Sequence, residues 1–119
     1  MAKQKDTPSP AKKRELLLQA LYQKEISGIS NTEVMKQLRE RNKKYDLSEL
    51  NLILKGIKQN KLTIDEIIEQ NSKIKLEDIG EIELSILRSI IFEMQKKTVD
   101  RSISLSEAIR LAKKYGQDS

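Results

Sequence analysis

Residues 78–94, DIGEIELSILRSIIFEM, decide the fold class. Ile79, Ile82, Ile86, Leu87, Ile90, Ile91 and Met94 recur at helical spacing and make an apolar stripe over about four turns. A stripe of that length needs a core to face, and Asp78 is a residue type that caps a helix start. The segment therefore reads as the central core helix.

The same kinds of signal continue on both sides of it. Downstream, Ser104-x-x-Glu107 has capping-box order and opens a last helix with Ala108, Leu111, Ala112 and Tyr115 on one side, stopping at Gly116. Upstream, Thr63-x-x-Glu66 is another capping box, opening a short helix that carries Ile64, Ile67 and Ile68. Leu50, Ile53, Leu54 and Ile57 mark a third helix. Gly56 within it costs about 1 kcal/mol of propensity relative to Ala and so points to close packing. Asp46 to Ser48 reads as a break. Ser30-x-x-Glu33 begins a second helix with Val34, Met35 and Leu38, which runs on into the basic residues Arg39, Arg41, Lys43 and Lys44. Ser9 and Pro10 open the first, over roughly 10–27, because a hydroxyl can cap and proline at the first helical position misses no N–H bond. Leu16, Leu17, Ala20 and Leu21 form its apolar face, and Gly28 is its stop. No strand alternation of useful length remains. The expectation is an all-α chain, a compact bundle of about six helices, with residues 1–8 a flexible basic arm and residues 9–119 a single helical domain.

The composition removes most catalytic chemistry. A chain of 119 residues suits one domain and is too short for two well-buried cores. It has no Cys and no His, which excludes Cys/His nucleophilic catalysis, thiolate or imidazole zinc sites and a disulfide framework. Gly28, Gly56, Gly80 and Gly116 are too scattered for a phosphate loop or a dinucleotide fingerprint. Glu77, Asp78, Glu81 and Glu83 cluster, but helix-bundle di-iron sites need a Glu-x-x-His pairing. The expectation is a protein that is not an enzyme and carries no cofactor or metal. The longest uncharged run, Leu16 to Gln23, is far short of the ~20 apolar residues of a membrane span, and nothing before it resembles a signal peptide. A cytoplasmic location and no membrane contact are expected.

The net charge of +5 is unevenly placed. Residues 1–14 carry +4, residues 15–64 carry +3, residues 65–83 carry −5 and residues 84–119 carry +3. This polarity suits a polyanion on one surface and a basic partner on another, although solvated helix faces give the same pattern. Lys12, Lys13 and Arg14 fall within the first turn or so of helix one, and Tyr22 lies two turns further on, close to the same face. Lys113, Lys114 and Tyr115 repeat the pairing at the last helix terminus. Cations beside an aromatic ring hold single-stranded RNA by neutralising phosphates and stacking on bases. A tyrosine packed in the core is the structural alternative.

These residues resemble a known family. Residues 14–22, RELLLQALY, are similar to the RExAxQALY opening of the NusB transcription antitermination factors. Leu54 to Ile57 with Asn60, Ile64 and Asp65 resemble the family's L-x-G-V-x-x-N … L-D stretch. Leu87, Arg88 and Glu93 match its LR-x-x-x-x-E core helix. Residues 106–116, SEAIRLAKKYG, resemble its NEA-x-x-LAK-x-[FY]G segment. The four motifs, in order, cover nearly the whole chain.

The resemblance implies an all-helical, non-catalytic factor. It would bind boxA-type single-stranded RNA of nascent ribosomal transcripts with NusE, a small-subunit ribosomal protein, in the elongation complex that lets RNA polymerase resist termination. By position, Lys12, Lys13, Arg14 and Tyr22 fall where the family contacts RNA, as do Tyr115 and Asp118. Lys113 and Lys114 join them through their charge. Glu83 falls on the partner side, with Glu81 beside it. Pro10 and Ala11 stand where the family often carries basic residues, and the family continues beyond Asp118 and Ser119 into a further helix. Part of the 79–94 stripe or of the last helix is therefore expected to face solvent, with self-association or marginal stability as the consequence. The alternative reading is a diverged, truncated helical module that binds only protein.

Overall fold

The computed structural model describes residues 4–116. Six α-helices form among the described residues: α1 (Pro10–Ser27), α2 (Asn31–Arg41), α3 (Ser48–Gln59), α4 (Lys61–Asn71), α5 (Glu81–Lys96) and α6 (Arg101–Tyr115). A 3₁₀ turn, Leu76–Asp78, precedes α5. The all-α expectation holds. Packing divides the chain into two compact units that meet in sequence within α3, one ending at Lys55 and the other starting at Gly56.

In the first unit the local signals act as read. Ser9 Oγ accepts from the Lys12 N–H at 3.1 Å and Pro10 takes the first helical position. Gly28 ends α1 at φ +68°, a left-handed conformation that costs glycine little. Ser30 Oγ accepts from the Glu33 N–H at 3.1 Å to start α2. The core joins Leu16, Leu17, Leu18, Ala20 and Leu21 of α1 to Val34, Met35 and Leu38 of α2, with Leu47, Leu50 and Leu54 also buried. Each buried side chain of this size contributes roughly 1.5–3 kcal/mol of transfer free energy. The expected arm is tethered where it is described. The Asp6 N–H donates to the Lys44 carbonyl and the Asp6 carbonyl accepts from the Asp46 N–H, both at 2.8 Å, while Pro8 is buried. Two backbone hydrogen bonds to a distant loop hold this segment, and such a pairing leaves no local mark in the sequence.

The second unit is assembled by side chains that reach across helices. Gly56 faces Phe92 so closely that a Cβ there would collide with the ring, which is the close packing its presence in a helix implied. Arg88 of α5 grips Asp65 of α4 with two hydrogen bonds, Nε to Oδ1 at 2.9 Å and Nη2 to Oδ2 at 3.1 Å. Ser104 Oγ of α6 donates to Glu93 Oε2 of α5 at 2.5 Å.

Three helix starts differ from the sequence reading. Only Asn60 separates α3 from α4, so α4 begins at Lys61 and Thr63 lies inside it rather than capping it. Asp78 ends the 3₁₀ turn, and α5 starts after Gly80. Ser104 sits within α6, which begins at Arg101, and its hydroxyl is spent on Glu93. The apolar stripe is also rotated. α5 buries Leu84, Ile86, Ile90 and Phe92 together with Arg88, Ser85 and Ser89, while Leu87 is exposed. Arg88 could turn inward because Asp65 meets its charge there. On α6 Leu111 is buried but Ala112 is exposed, as are Ile103, Leu105 and Ile109.

Candidate nucleic-acid interface

The basic start of α1 carries Lys12, Lys13 and Arg14, all half-buried. Lys13 is engaged: its Nζ lies 2.7 Å from Glu49 Oε2 at the start of α3. Tyr22 stands eight residues after Arg14, about 12 Å along the helix axis at 1.5 Å per residue. It therefore belongs to a different patch from the Lys12–Arg14 cations.

That patch is a groove of about 150 Å³ between α1 and α2. Its floor is Val34 and Leu38, and its walls are Gln19, Tyr22, Gln23, Gln37 and Arg41. Gln23 Nε2 donates to Ser27 Oγ at 3.1 Å, and Gln37 Nε2 approaches Glu33 Oε1 at 3.5 Å. The sequence reading singled out Tyr22 and missed the glutamines. The available signal was the i, i+4 spacing of Gln19 with Gln23 and of Gln37 with Arg41, which puts each pair on one helix face. Lys44, in the loop after α2, lies 4.9 Å from the Tyr45 ring centroid, a further cation beside an aromatic ring.

Near the end of α3's approach, Asp46 accepts from both the Ser48 hydroxyl and, at 3.0 Å, the Ser48 N–H. These bonds, the hydroxyl first, hold its carboxyl below the usual Asp value.

In the second unit, Lys113 and Lys114 are exposed and Tyr115 is half-buried. The Lys114 Nζ lies 5.3 Å from the Tyr115 ring centroid, so this part of the expected pairing is present as a cation over a ring face. Asp118 lies outside the described residues. Of the two acidic positions, Glu81 is exposed in the first turn of α5. Glu83 is half-buried and faces the end of α6, where a Cβ on Gly116 would lie 3.5 Å from its Oε1. Among the described residues no group of His, Cys, Asp or Glu is arranged to hold a metal ion, and no helix is long and apolar enough to cross a membrane.

Six helices with cations and aromatic rings on their surfaces define an all-helical protein. The resemblance seen in the motifs extends over the chain: the family model described as the NusB family matches residues 11–119. The chain belongs to the NusB family.

A transcription antitermination protein NusB of Clostridium novyi (strain NT) is 35% identical over 114 residues, covering 91% of this chain and 86% of the relative. One from Colwellia psychrerythraea is 35% identical over 115 residues, covering 93% and 83%. One from Clostridium botulinum (strain Kyoto / Type A2) is 34% identical over 122 residues, covering 87% and 85%. Several motif residues behind the resemblance prove to be scaffold. Gly56 makes room for Phe92, Asp65 pairs with Arg88, and Glu93 accepts from Ser104.

Proposed function

We propose that this chain is a non-catalytic transcription antitermination factor of the cytoplasm. It binds boxA-type single-stranded RNA of ribosomal transcripts together with the small-subunit ribosomal protein NusE, within the transcription elongation complex. Family membership carries this reading, because the matched relatives share that name over most of their length. The placement of charge supports it. Lys12, Lys13, Arg14 and Tyr22 offer phosphate neutralisation and a ring on α1, and Lys113, Lys114 and Tyr115 offer the same on α6, with Asp118 assigned to the same set by position. Glu81 and Glu83 supply negative charge at the start of α5 for a basic partner, an arrangement that acts mainly on association rate and specificity.

The protein-only reading has one observation in its favour, the neutralisation of Lys13 by Glu49. Anisotropy titration of a labelled boxA-type RNA, with and without NusE, separates the two. RNA binding that tightens on adding NusE, with a log K against log salt slope of about −0.7 per neutralised phosphate, supports the antitermination reading. NusE binding without any RNA affinity establishes the protein-only module.

A further inference from the structure

We infer that residues 4–9 form an autoinhibitory clasp on the start of α1. Closed, the clasp ties the loop between α2 and α3 to the head of α1 and keeps Lys13 on Glu49. A polyanion strand binds there by opening it. The inference rests on the RNA-binding reading above and adds to it how that surface is switched.

The clasp is an addition to the family's fold, since the family model matches from residue 11 onward. Its hold is confined to two places. The Asp6 N–H donates to the Lys44 carbonyl and the Asp6 carbonyl accepts from the Asp46 N–H, both at 2.8 Å, and Pro8 is buried. Lys5, Asp6, Thr7 and Ser9 are exposed. The segment borders a cavity of about 210 Å³ whose lining includes Thr7, Pro8, Lys13, Leu16 and Glu49. A segment held by two backbone bonds and one buried ring, beside unfilled space, belongs to the part of a fold that opens locally.

The placement of Lys13 gives opening a consequence. Its side chain is 23% exposed and that of its partner Glu49 is 62% exposed, so the cation is the enclosed member of the pair. Glu49 is the second residue of α3, and α3 starts two residues after Asp46, which the clasp bonds. Releasing Asp6 therefore loosens the segment that carries Glu49. Asp46 draws in further cations. Its carboxyl is lowered first by Ser48, and Lys5 of the clasp and Arg39 of α2 act on it in the same direction. The closed state thus commits Lys5, Lys13 and Arg39 to the protein's own carboxylates. Phosphates that replace Asp46 and Glu49 as counter-charges bind the open state better, and that difference in affinity is what moves a two-state segment.

The test uses the full chain, a labelled boxA-type RNA and anisotropy over a salt series, with circular dichroism on every variant. Asp6→Pro removes the N–H that bonds Lys44. Asp6→Asn keeps that N–H while removing the same charge, and is the control. Asp6→Pro should bind about fivefold tighter than the wild type and steepen the log K against log salt slope by about 0.7, as Lys13 is released. Asp6→Asn should stay within about twofold of the wild type. Because clasp and carboxylate act on one cation, Asp6→Pro with Glu49→Gln should gain no more than about twofold over the tighter single variant. Hydrogen exchange reads the opening directly: the Asp46 amide should exchange about tenfold faster in Asp6→Pro, and faster in the wild type once RNA is bound. Should Asp6→Pro fail to fold, Pro8→Gly, which removes the buried anchor, should show the same tightening. RNA binding by Asp6→Pro with none by the wild type is the clasp at full strength. A released segment that binds RNA no better, gains that multiply in the double variant, or an Asp46 amide that bound RNA leaves protected overturns the clasp while RNA binding stands. If neither the wild type nor Asp6→Pro binds the strand, the RNA-binding reading has failed and the clasp falls with it.

Discussion

Lys13 and Glu49, 36 residues apart, close a salt bridge of 2.7 Å between the start of α1 and the start of α3. The carboxylate occupies one of the cations expected to meet phosphate. Its side chain remains 62% exposed, so the bond is a surface pair and contributes about 0–1 kcal/mol to stability.

Removing that carboxylate should therefore change binding more than folding. Glu49→Gln is expected to tighten RNA binding and to steepen the log K against log salt slope by about 0.7, as one more cation becomes available to phosphate. The melting temperature should hardly move. Unchanged affinity and slope in a titration of Glu49→Gln would remove Lys13 from the RNA surface.

Tyr115 gives a second handle, since Lys114 already sits over its ring. If bases stack there, Tyr115→Phe should be mild, whereas Tyr115→Ala should cost about 1–3 kcal/mol of RNA affinity. Far-UV circular dichroism of the Ala variant distinguishes lost stacking from lost structure. A folded Ala variant with wild-type affinity would end the stacking assignment.

The Asp65–Arg88 pair predicts a large stability effect. The side chains are 15% and 9% exposed, so Asp65→Ala leaves a nearly buried guanidinium without its counter-charge. Breaking such a pair costs roughly 3–5 kcal/mol, while replacing both members with apolar residues costs much less. Urea unfolding should thus rank Asp65→Ala below the double variant Asp65→Leu/Arg88→Met. The reverse order would show that the pair carries little of the α4–α5 contact.

Acid should reveal Asp46. Its carboxyl is held below the ordinary Asp value by the Ser48 hydroxyl and N–H, so the folded state binds this proton less readily than the unfolded chain. The resulting stabilisation is fully present above the unfolded value, near about pH 4, and disappears as the pH falls through the lowered folded value. Comparing urea midpoints of the wild type and Asp46→Asn across this range should show a gap that closes in acid. A gap independent of pH would assign the effect to the loss of an acceptor rather than to titration.

Self-association is tested on α6. Leu105 and Ile109, 47% and 57% exposed, stand four residues apart on one face. Leu105→Gln with Ile109→Gln should cost less than about 0.5 kcal/mol each, as surface substitutions do. Sedimentation should show a concentration-dependent mass for the wild type that the double variant abolishes. A wild type that stays monomeric at high concentration removes self-association from the account.

By itself the sequence determined the helical class, both ends of the first helix and the start of the second. Ser9, Pro10, Gly28 and Ser30 act within three or four residues of themselves, a reach that a linear string contains in full. It also contained the family motifs and the tight approach at Gly56. Tertiary structure decided what the same local patterns could not. Thr63-x-x-Glu66 and Ser104-x-x-Glu107 have capping-box order, yet the turn before each was already helical, and Ser104 found a stronger acceptor in Glu93 across the helix pair. Arg88 turned inward because Asp65, 23 positions away, met it there. Lys13 was neutralised by a residue in another helix, and the glutamine groove exists only where α1 lies on α2. In each case the deciding partner is distant in sequence and near in space. The free energy of a charge or hydroxyl depends on which group packing brings to it, and that group is chosen by the fold.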